Sequence, residues 1–292
     1  MATFSGAEGE NPGFAMIQAS DGNLYGTTAS SGYTLHGSVF KYFLTATPPP
    51  APTITKNGVV PVYSSVPTIQ QGEWISIYGS NLAATATTWN GDFPLSLGGT
   101  NVEINGTPAY IWFVSPGQIN VQVPSLTATG SVPVTVTTAG GTATSTATLA
   151  QIAPMFSLLD ASHVAGIILR SNGSGAYGGG TYDIVGPTGN SLGYATVAAK
   201  AGDTVELFGV GFGPTKPTVP AGAPFSGSAP ATSTVTLLIN NQTVTPSYTG
   251  ETSAGLFQIN LTIPAGLGTG DVPLQSIVGG IQTPASVVIS LQ

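Results

Sequence analysis

From Gln118 to Pro124 apolar and amide side chains alternate: Ile119, Val121 and Val123 stand between Gln118, Asn120 and Gln122. A period of two predicts a strand with one apolar face and one face of amides. The closing proline has no N–H and ends the ladder. The same pattern returns in Gln258-Ile259-Asn260-Leu261-Thr262-Ile263-Pro264. Gly130-Ser131-Val132-Pro133-Val134 likewise returns as Gly270-Asp271-Val272-Pro273-Leu274, and Gly72-Glu73-Trp74-Ile75-Ser76-Ile77-Tyr78-Gly79 as Gly202-Asp203-Thr204-Val205-Glu206-Leu207-Phe208-Gly209. Three blocks repeated in one order describe a duplicated domain, and the extra length of the second copy is expected in the Gly/Pro-rich loop Pro214–Pro230.

Further strands follow from the same alternation. In the first copy they are Val59–Val62, Trp74–Tyr78, Val102–Ile104, Pro108–Val114, Val132–Thr137 and Thr144–Leu149. Asn105-Gly106 predicts a type I′ hairpin turn between the third and fourth of these. In the second copy they are Val164–Arg170, Thr204–Phe208, Val235–Ile239, Gln258–Ile263, Val272–Val278 and Val287–Leu291, with a flexible glycine-rich loop at Ser171–Gly180. About seven short strands per roughly 100 residues is the spacing of an immunoglobulin-like sandwich. The fold class expected is therefore all-β: two tandem immunoglobulin-like β-sandwiches, residues 53–152 and 153–292. Residues 48–52 form a stiff Pro-rich linker behind a small N-terminal β-repeat module, residues 1–47.

Composition narrows the function classes. Gly (40) and Pro (23) are abundant and charged residues are 6%, which favours strands and turns over long helices. Five basic against twelve acidic residues argue against nucleic acid and anionic membranes as partners. Apolar runs are too short for membrane insertion. The absence of cysteine excludes a disulfide scaffold and cysteine chemistry. Scarce Lys and Glu beside abundant Thr, Ser, Gly and Asn suggests an extracellular or cell-surface protein. Met1-Ala2-Thr3-Phe4 lacks the basic and apolar regions of a signal peptide.

Two resemblances rest on particular residues. Phe4-Ser5-Gly6, Asn11-Pro12, Asp21–Thr28 and Gly37–Lys41 resemble one GloVer-type repeat over residues 4–43, a unit that in longer secreted proteins implies propeller-like arrays. A single repeat cannot bury its own face, so residues 1–47 are expected to pack on the next domain or on another chain. Ile75–Ala83, Phe93-Pro94 with Leu97-Gly98-Gly99, Ile104–Tyr110 and Val114–Asn120 resemble a C-terminal domain family of large secreted acidobacterial proteins, over about residues 53–292. That family implies an extracellular immunoglobulin-like module without assigned chemistry. The G-x-x-I-x-I-x-G opening is also similar to the IPT/TIG type of sandwich.

No constellation amounts to an active site. A hydrolytic triad would have to use His36, in a Gly/Ser-rich turn, or His163, before a strand, and no G-x-S-x-G elbow is present. Glu73 and Asp203 occupy equivalent turn positions in separate copies, so they do not form a facing glycosidase pair, and Glu103 and Glu206 lie in strands. Catalytic residues and bound cofactors are expected to be none. Ca²⁺ at Asp21-Gly22-Asn23 is the one cofactor left open, against the plainer reading of a turn, with Asp160 and Asp183 standing alone. Asn105, Asn172, Asn241 and Asn260 head N-x-[ST] triplets, read as incidental. For sugars, Trp89 in its loop and Trp112 on the Tyr110 strand are the candidate ligand-facing aromatics; packing is the plainer reading, and Trp74 reads as core. Gln118, Asn120, Gln122, Gln258 and Asn260 read as a structural amide motif that clamps a neighbouring loop, Ser115-Pro116-Gly117 in the first copy.

The function expected is a non-enzymatic extracellular structural or adhesive protein, self-associating through residues 1–47 or exposed strand edges into a surface or filament assembly. The alternative is a polysaccharide-binding accessory module; a secreted hydrolase ranks third. The binding surface is expected in the parts without a duplicate: the lone repeat, the Trp89 loop and Ser171–Gly180.

Overall fold

A computed structural model of the chain describes residues 10–13, 15–30, 36–44 and 48–292. The expected Phe4-Ser5-Gly6 turn lies outside them. The chain divides into two units, Met1–Pro50 and Ala51–Gln292. All regular structure among the described residues is strand.

In the first unit Leu24–Ser30 pairs antiparallel with Glu10–Pro12, Ile17–Gln18 and Val39–Tyr42. The Asp21-Gly22-Asn23 turn forms as expected from its residues. Asp21 accepts the Asn23 N–H (3.1 Å), the Tyr25 hydroxyl (2.8 Å) and the Lys41 ammonium (2.9 Å). Its carboxylate is thereby occupied within the chain, and Lys41, followed by Tyr25, holds it far below the usual range.

The second unit contains two tandem immunoglobulin-like sandwiches. In the first, one sheet runs in the order Thr53–Pro61, Trp74–Ser80, Gln118–Gln122, Tyr110–Val114, Thr87–Thr88. The opposing sheet runs Thr107–Pro108, Thr100–Ile104, Gly130–Thr138, Gly141–Ala150 and, parallel to the last, Thr68–Gln70. The Asn105-Gly106 turn has positive φ at both residues (51° and 72°), as a type I′ turn requires. The strand after it needs correction. Only Thr107–Pro108 completes the hairpin; the chain then crosses at buried Ala109, and Tyr110–Val114 joins the opposite sheet against Gln118–Gln122. Pro108 has no N–H to continue a ladder, which makes it the place to leave the sheet.

The second sandwich repeats the plan. Its first sheet runs Tyr182–Ile184, Gly166–Leu169, Thr204–Val210, Leu256–Thr262, Tyr248–Ser253, Ser226–Pro230, and its second is centred on Val235–Ile239 and Gly270–Val278. Each sandwich has its own apolar core. Ile75, Ile77, Ile119, Val121 and Val134 are fully buried in one; Leu207, Phe212, Ile259, Leu261 and Leu274 in the other. The period-two alternation thus sends equivalent residues of both copies inward.

The duplication extends to single bonds. Gly72 N–H donates to Val123 O and Gly202 N–H to Ile263 O; Val123 N–H donates to Glu73 O and Ile263 N–H to Asp203 O. Each turn acid takes the N–H three residues earlier: Gln70 to Glu73 Oε1 (2.6 Å), Lys200 to Asp203 Oδ2 (3.0 Å). Asn105 and Asn240 donate their N–H groups to Pro133 O and Pro273 O, both at 2.8 Å.

Candidate functional site

The two sandwiches meet along a joint that the duplicated frame does not repeat. From the first come Gln70, Trp74, Gln122 and Ser125. Gln70 Oε1 accepts the Gly213 N–H at 2.8 Å. Trp74 Nε1–H donates to Ala254 O at 2.8 Å. Gln122 Nε2–H donates to Gly72 O at 2.8 Å within its own sandwich, while its Oε1 accepts the Gly222 N–H at 2.9 Å from the other. Gln70, Trp74 and Gln122 each have an amide or indole group placed at the start or end of a strand, where it meets backbone groups of the other sandwich's loops.

Glycines make the close approach feasible. A Cβ on Gly255 (φ +70°) would lie 2.6 Å from Gly72 O and 2.8 Å from the Trp74 ring; one on Gly222 (φ +81°) would lie 2.0 Å from the Tyr110 ring. Gly222 sits in the Gly/Pro-rich loop Pro214–Pro230, which carries only part of the extra length of the second copy: the offset between equivalent residues is 130 at Gly72 and Gly202, 135 at Asn105 and Asn240, and 140 at Gln118 and Gln258. That loop forms one side of the joint, a role its composition alone does not disclose.

Above the joint opens a cleft of about 430 Å³. Trp74, Trp89, Phe93 and Trp112 wall it from the first sandwich, and Phe225 and Leu256 from the second. Trp74 meets Trp89 and Trp112 edge-to-face, with centroids 5.4 and 5.8 Å apart, and Trp89 meets Phe93 at 4.6 Å. These are the preferred aromatic geometries, so the rings fix one another. Trp89 N–H donates to Trp112 O at 2.9 Å, tying the Trp89 loop to the strand. Trp112 remains 37% exposed and neighbouring Tyr63 54%. Ser157 and Ser253 add hydroxyls, and no lining residue is charged.

Trp89 and Trp112 come together in this cleft. Trp74 is not in the first core: it is half-buried, packs against the core of the second sandwich and closes the joint. The amides have other partners than expected. Gln118 Nε2–H bonds Asn120 Oδ1 (2.7 Å), and Gln258 Nε2–H bonds Asn260 Oδ1 (2.9 Å). The Ser115 loop is held by its own hydroxyl, which accepts the Gln118 backbone N–H at 3.0 Å. Gln122 is the amide that clamps a loop, and it clamps Gly222 rather than Ser115–Gly117.

Asp160 and Asp183 do not stand alone. Asp160 Oδ2 lies 2.9 Å from His163 Nδ1, and Asp271 Oδ2 lies 3.3 Å from Nε2 without hydrogen-bond geometry. Burial pushes the imidazole pKa down, but the two carboxylates outweigh it and hold it above its usual value. Asp271 in turn accepts the Ser290 hydroxyl at 2.6 Å. Both faces of His163 are thus taken by acids, an arrangement that ties together strand ends and leaves no nucleophile on the imidazole. Asp183 is bound to Arg170 (3.0 Å) and to the N–H groups of Ala176 and Tyr177, so it orders the Ser171–Gly180 loop. Among the described residues no group of three or more His, Asp or Glu is placed to hold a metal. No helix of the described residues is long and apolar enough to cross a membrane.

Comparison with known proteins gives one family. The model of the IPT/TIG domain matches residues 57–151, the first sandwich. No curated protein matches the chain. Among solved structures, SGBP-B of the Bacteroides ovatus mixed-linkage glucan utilization locus, in complex with a mixed-linkage heptasaccharide, is 13% identical with a TM-score of 0.34, over 92% of this chain and 52% of that one. The extracellular region of plexin A4 is 13% identical with a TM-score of 0.27, over 83% of this chain and 18% of that one. The titin I9–I11 tandem is 10% identical with a TM-score of 0.23, over 94% of this chain and 76% of that one. The chain thus spans about half of the first of these proteins and less than a fifth of the second.

Proposed function

We propose that the unit Ala51–Gln292 is a non-catalytic module that binds a neutral polysaccharide in the cleft between its sandwiches. The observation that carries this is the gathering of all three tryptophans with Phe93 and Phe225 around one solvent-open cleft. Aromatic faces held in place by their neighbours offer flat apolar platforms to the C–H faces of pyranose rings, and the two serine hydroxyls can meet ring hydroxyls. The absence of charge in the lining suits an uncharged sugar. Trp112 is the most exposed of the three tryptophans and is the platform; Trp74 and Trp89 support it.

Affinity electrophoresis of the full chain against soluble neutral β-glucans, mannans and xylans tests this. Trp112→Ala is expected to weaken binding at least roughly tenfold, about 1.4 kcal/mol, with the chain still folded. Retention by none of the polysaccharides, or retention unchanged by Trp112→Ala, removes the assignment.

A second reading concerns the N-terminal unit. Ile17 and Val39 on its small sheet, and Met16 and Phe43 flanking those strands, are 52–75% exposed. Scattered apolar residues need no explanation, but four in so small a unit favour association with another copy, as a lone repeat requires. Sedimentation of the full chain is expected to show concentration-dependent self-association that Ile17→Lys with Val39→Lys abolishes. A monomer at all concentrations removes this reading.

A further inference from the structure

We propose that the joint between the two sandwiches is a pH-operated latch, closed while Glu73 and Glu251 are both uncharged and loosened when they ionise. The inference concerns the joint itself and stands whether or not a sugar enters the cleft.

Beside the aromatic cleft the joint borders a smaller, half-open space of about 130 Å³. Gln70, Gly72 and Glu73 wall it from the first sandwich, and Gly213, Glu251 and Gly255 from the second. Glu73 is 1% exposed and Glu251 7%. The two carboxyls are anchored alike. Glu73 Oε1 accepts the Gln70 N–H and Glu251 Oε1 the Gly255 N–H, both at 2.6 Å. Glu73 Oε2 is buried without a hydrogen-bond partner.

Among the described residues no cation faces either acid. Glu73 and Glu251 are the only titratable groups among the residues that wall the space. Lys216, on the loop that supplies Gly213 and Thr215, is exposed and does not line it. A buried carboxylate without a cation is disfavoured. Burial accordingly pushes the Glu73 carboxyl well above its usual range and the Glu251 carboxyl to about 7; the single backbone N–H on each offsets only part of this.

Both acids adjoin the bond that closes the joint. Glu73 precedes Trp74, whose indole N–H donates to Ala254 O, and Glu251 holds the N–H of Gly255, the next residue. Ionisation draws water toward the carboxylates, and water reaches them by parting Gly72 and Trp74 from Ala254 and Gly255. The sign follows from raised values in the closed state. Closure is fully favoured below the ordinary carboxyl value of about 4.5, weakens as pH rises through about 7, where Glu251 is ionised in the closed joint as well, and weakens further until the still more deeply buried Glu73 ionises.

Tryptophan fluorescence of the full chain reads this directly, because all three tryptophans line the cleft beside the latch. Between about pH 5 and 9 the emission is expected to shift to the red and acrylamide quenching to rise, with circular dichroism unchanged. Glu73→Gln with Glu251→Gln keeps an acceptor for each backbone N–H and is expected to hold the closed spectrum throughout. If that pair does not fold, Glu251→Gln alone is expected to remove the component of the transition near pH 7. His163→Gln, away from both spaces, should leave the transition in place. A natural chain whose spectrum does not move, or a transition that keeps its midpoint in the glutamine variants, overturns the proposal.

Discussion

Arg170→Met is expected to destabilise the second sandwich by about 3–5 kcal/mol, the loss typical when one partner of a buried ion pair is removed. Arg170 lies between two acids of the second copy. Its Nε–H donates to Asp183 Oδ2 at 3.0 Å and its Nη1–H to Asp203 Oδ1 at 2.9 Å, with side-chain exposures of 16%, 7% and 8%. Methionine keeps much of the volume but leaves both carboxylates buried without a cation. Burial raises the Asp183 carboxyl, but Arg170 and the Tyr177 and Ala176 N–H groups overcome it and hold the group below its usual value. In the natural chain its contribution is present above the ordinary aspartate range and is lost as pH falls through the depressed value. Without Arg170 the carboxyl moves upward. The gap between variant and natural chain should therefore narrow as pH falls and the unpaired carboxyl takes up a proton. Urea unfolding at several pH values measures this; an equal gap at every pH would mean that lost packing, not unpaired charge, causes the effect.

Phe212→Ala is expected to cost about 3–5 kcal/mol and to weaken the joint as well. Phe212 is fully buried, 5.7 Å from the Phe156 ring centroid and 5.8 Å from that of Phe257. Its neighbours in the chain face the other way. Gly211 packs against Glu73, and Gly213 exchanges hydrogen bonds with the Gln70 amide. The ring therefore pins a loop to the second core while the flanking glycines meet the first sandwich. Calorimetry should show a lower melting temperature, and hydrogen exchange should show faster opening at Gly213. Protection at Gly213 equal to that of the natural chain would separate core from joint.

Much of the fold is legible because one signal is strong. The alternation in Gln118–Pro124 and Gln258–Pro264 sets the core face, and its repetition sets the two-sandwich plan. The crossing at Ala109 was not legible. Both Thr107–Pro108 and Tyr110–Val114 read as strand, and only pairing over long sequence distances assigns them to different sheets. The site was half legible. Trp89 and Trp112 stand out as aromatics, but Trp74 shares a strand face with Ser76 and Tyr78, opposite core Ile75 and Ile77, and what covers that face appears only when a second sandwich is placed against it. Gln122 reads as one of a row of outward amides for the same reason. Glu73 reads as a turn residue, and its solitude becomes visible only beside Asp203, whose equivalent carboxylate has Arg170.

The joint has a direction. It sets the Gln70–Trp74–Gln122 side of one copy against the Gly213–Gly222–Gly255 side of the other, so it is head-to-tail and lacks twofold symmetry. Contacts of that kind can in principle extend without closing. Here the growing end is blunted. The positions of the second copy equivalent to Gln70, Trp74 and Gln122 are Lys200, Thr204 and Thr262, and all three are exposed. A further sandwich offered to that end would meet an ammonium and two short hydroxyls where the first joint has an indole and two amides. The two copies share a frame but differ at the three residues that make the joint, so the second copy does not offer the surface by which the first one pairs.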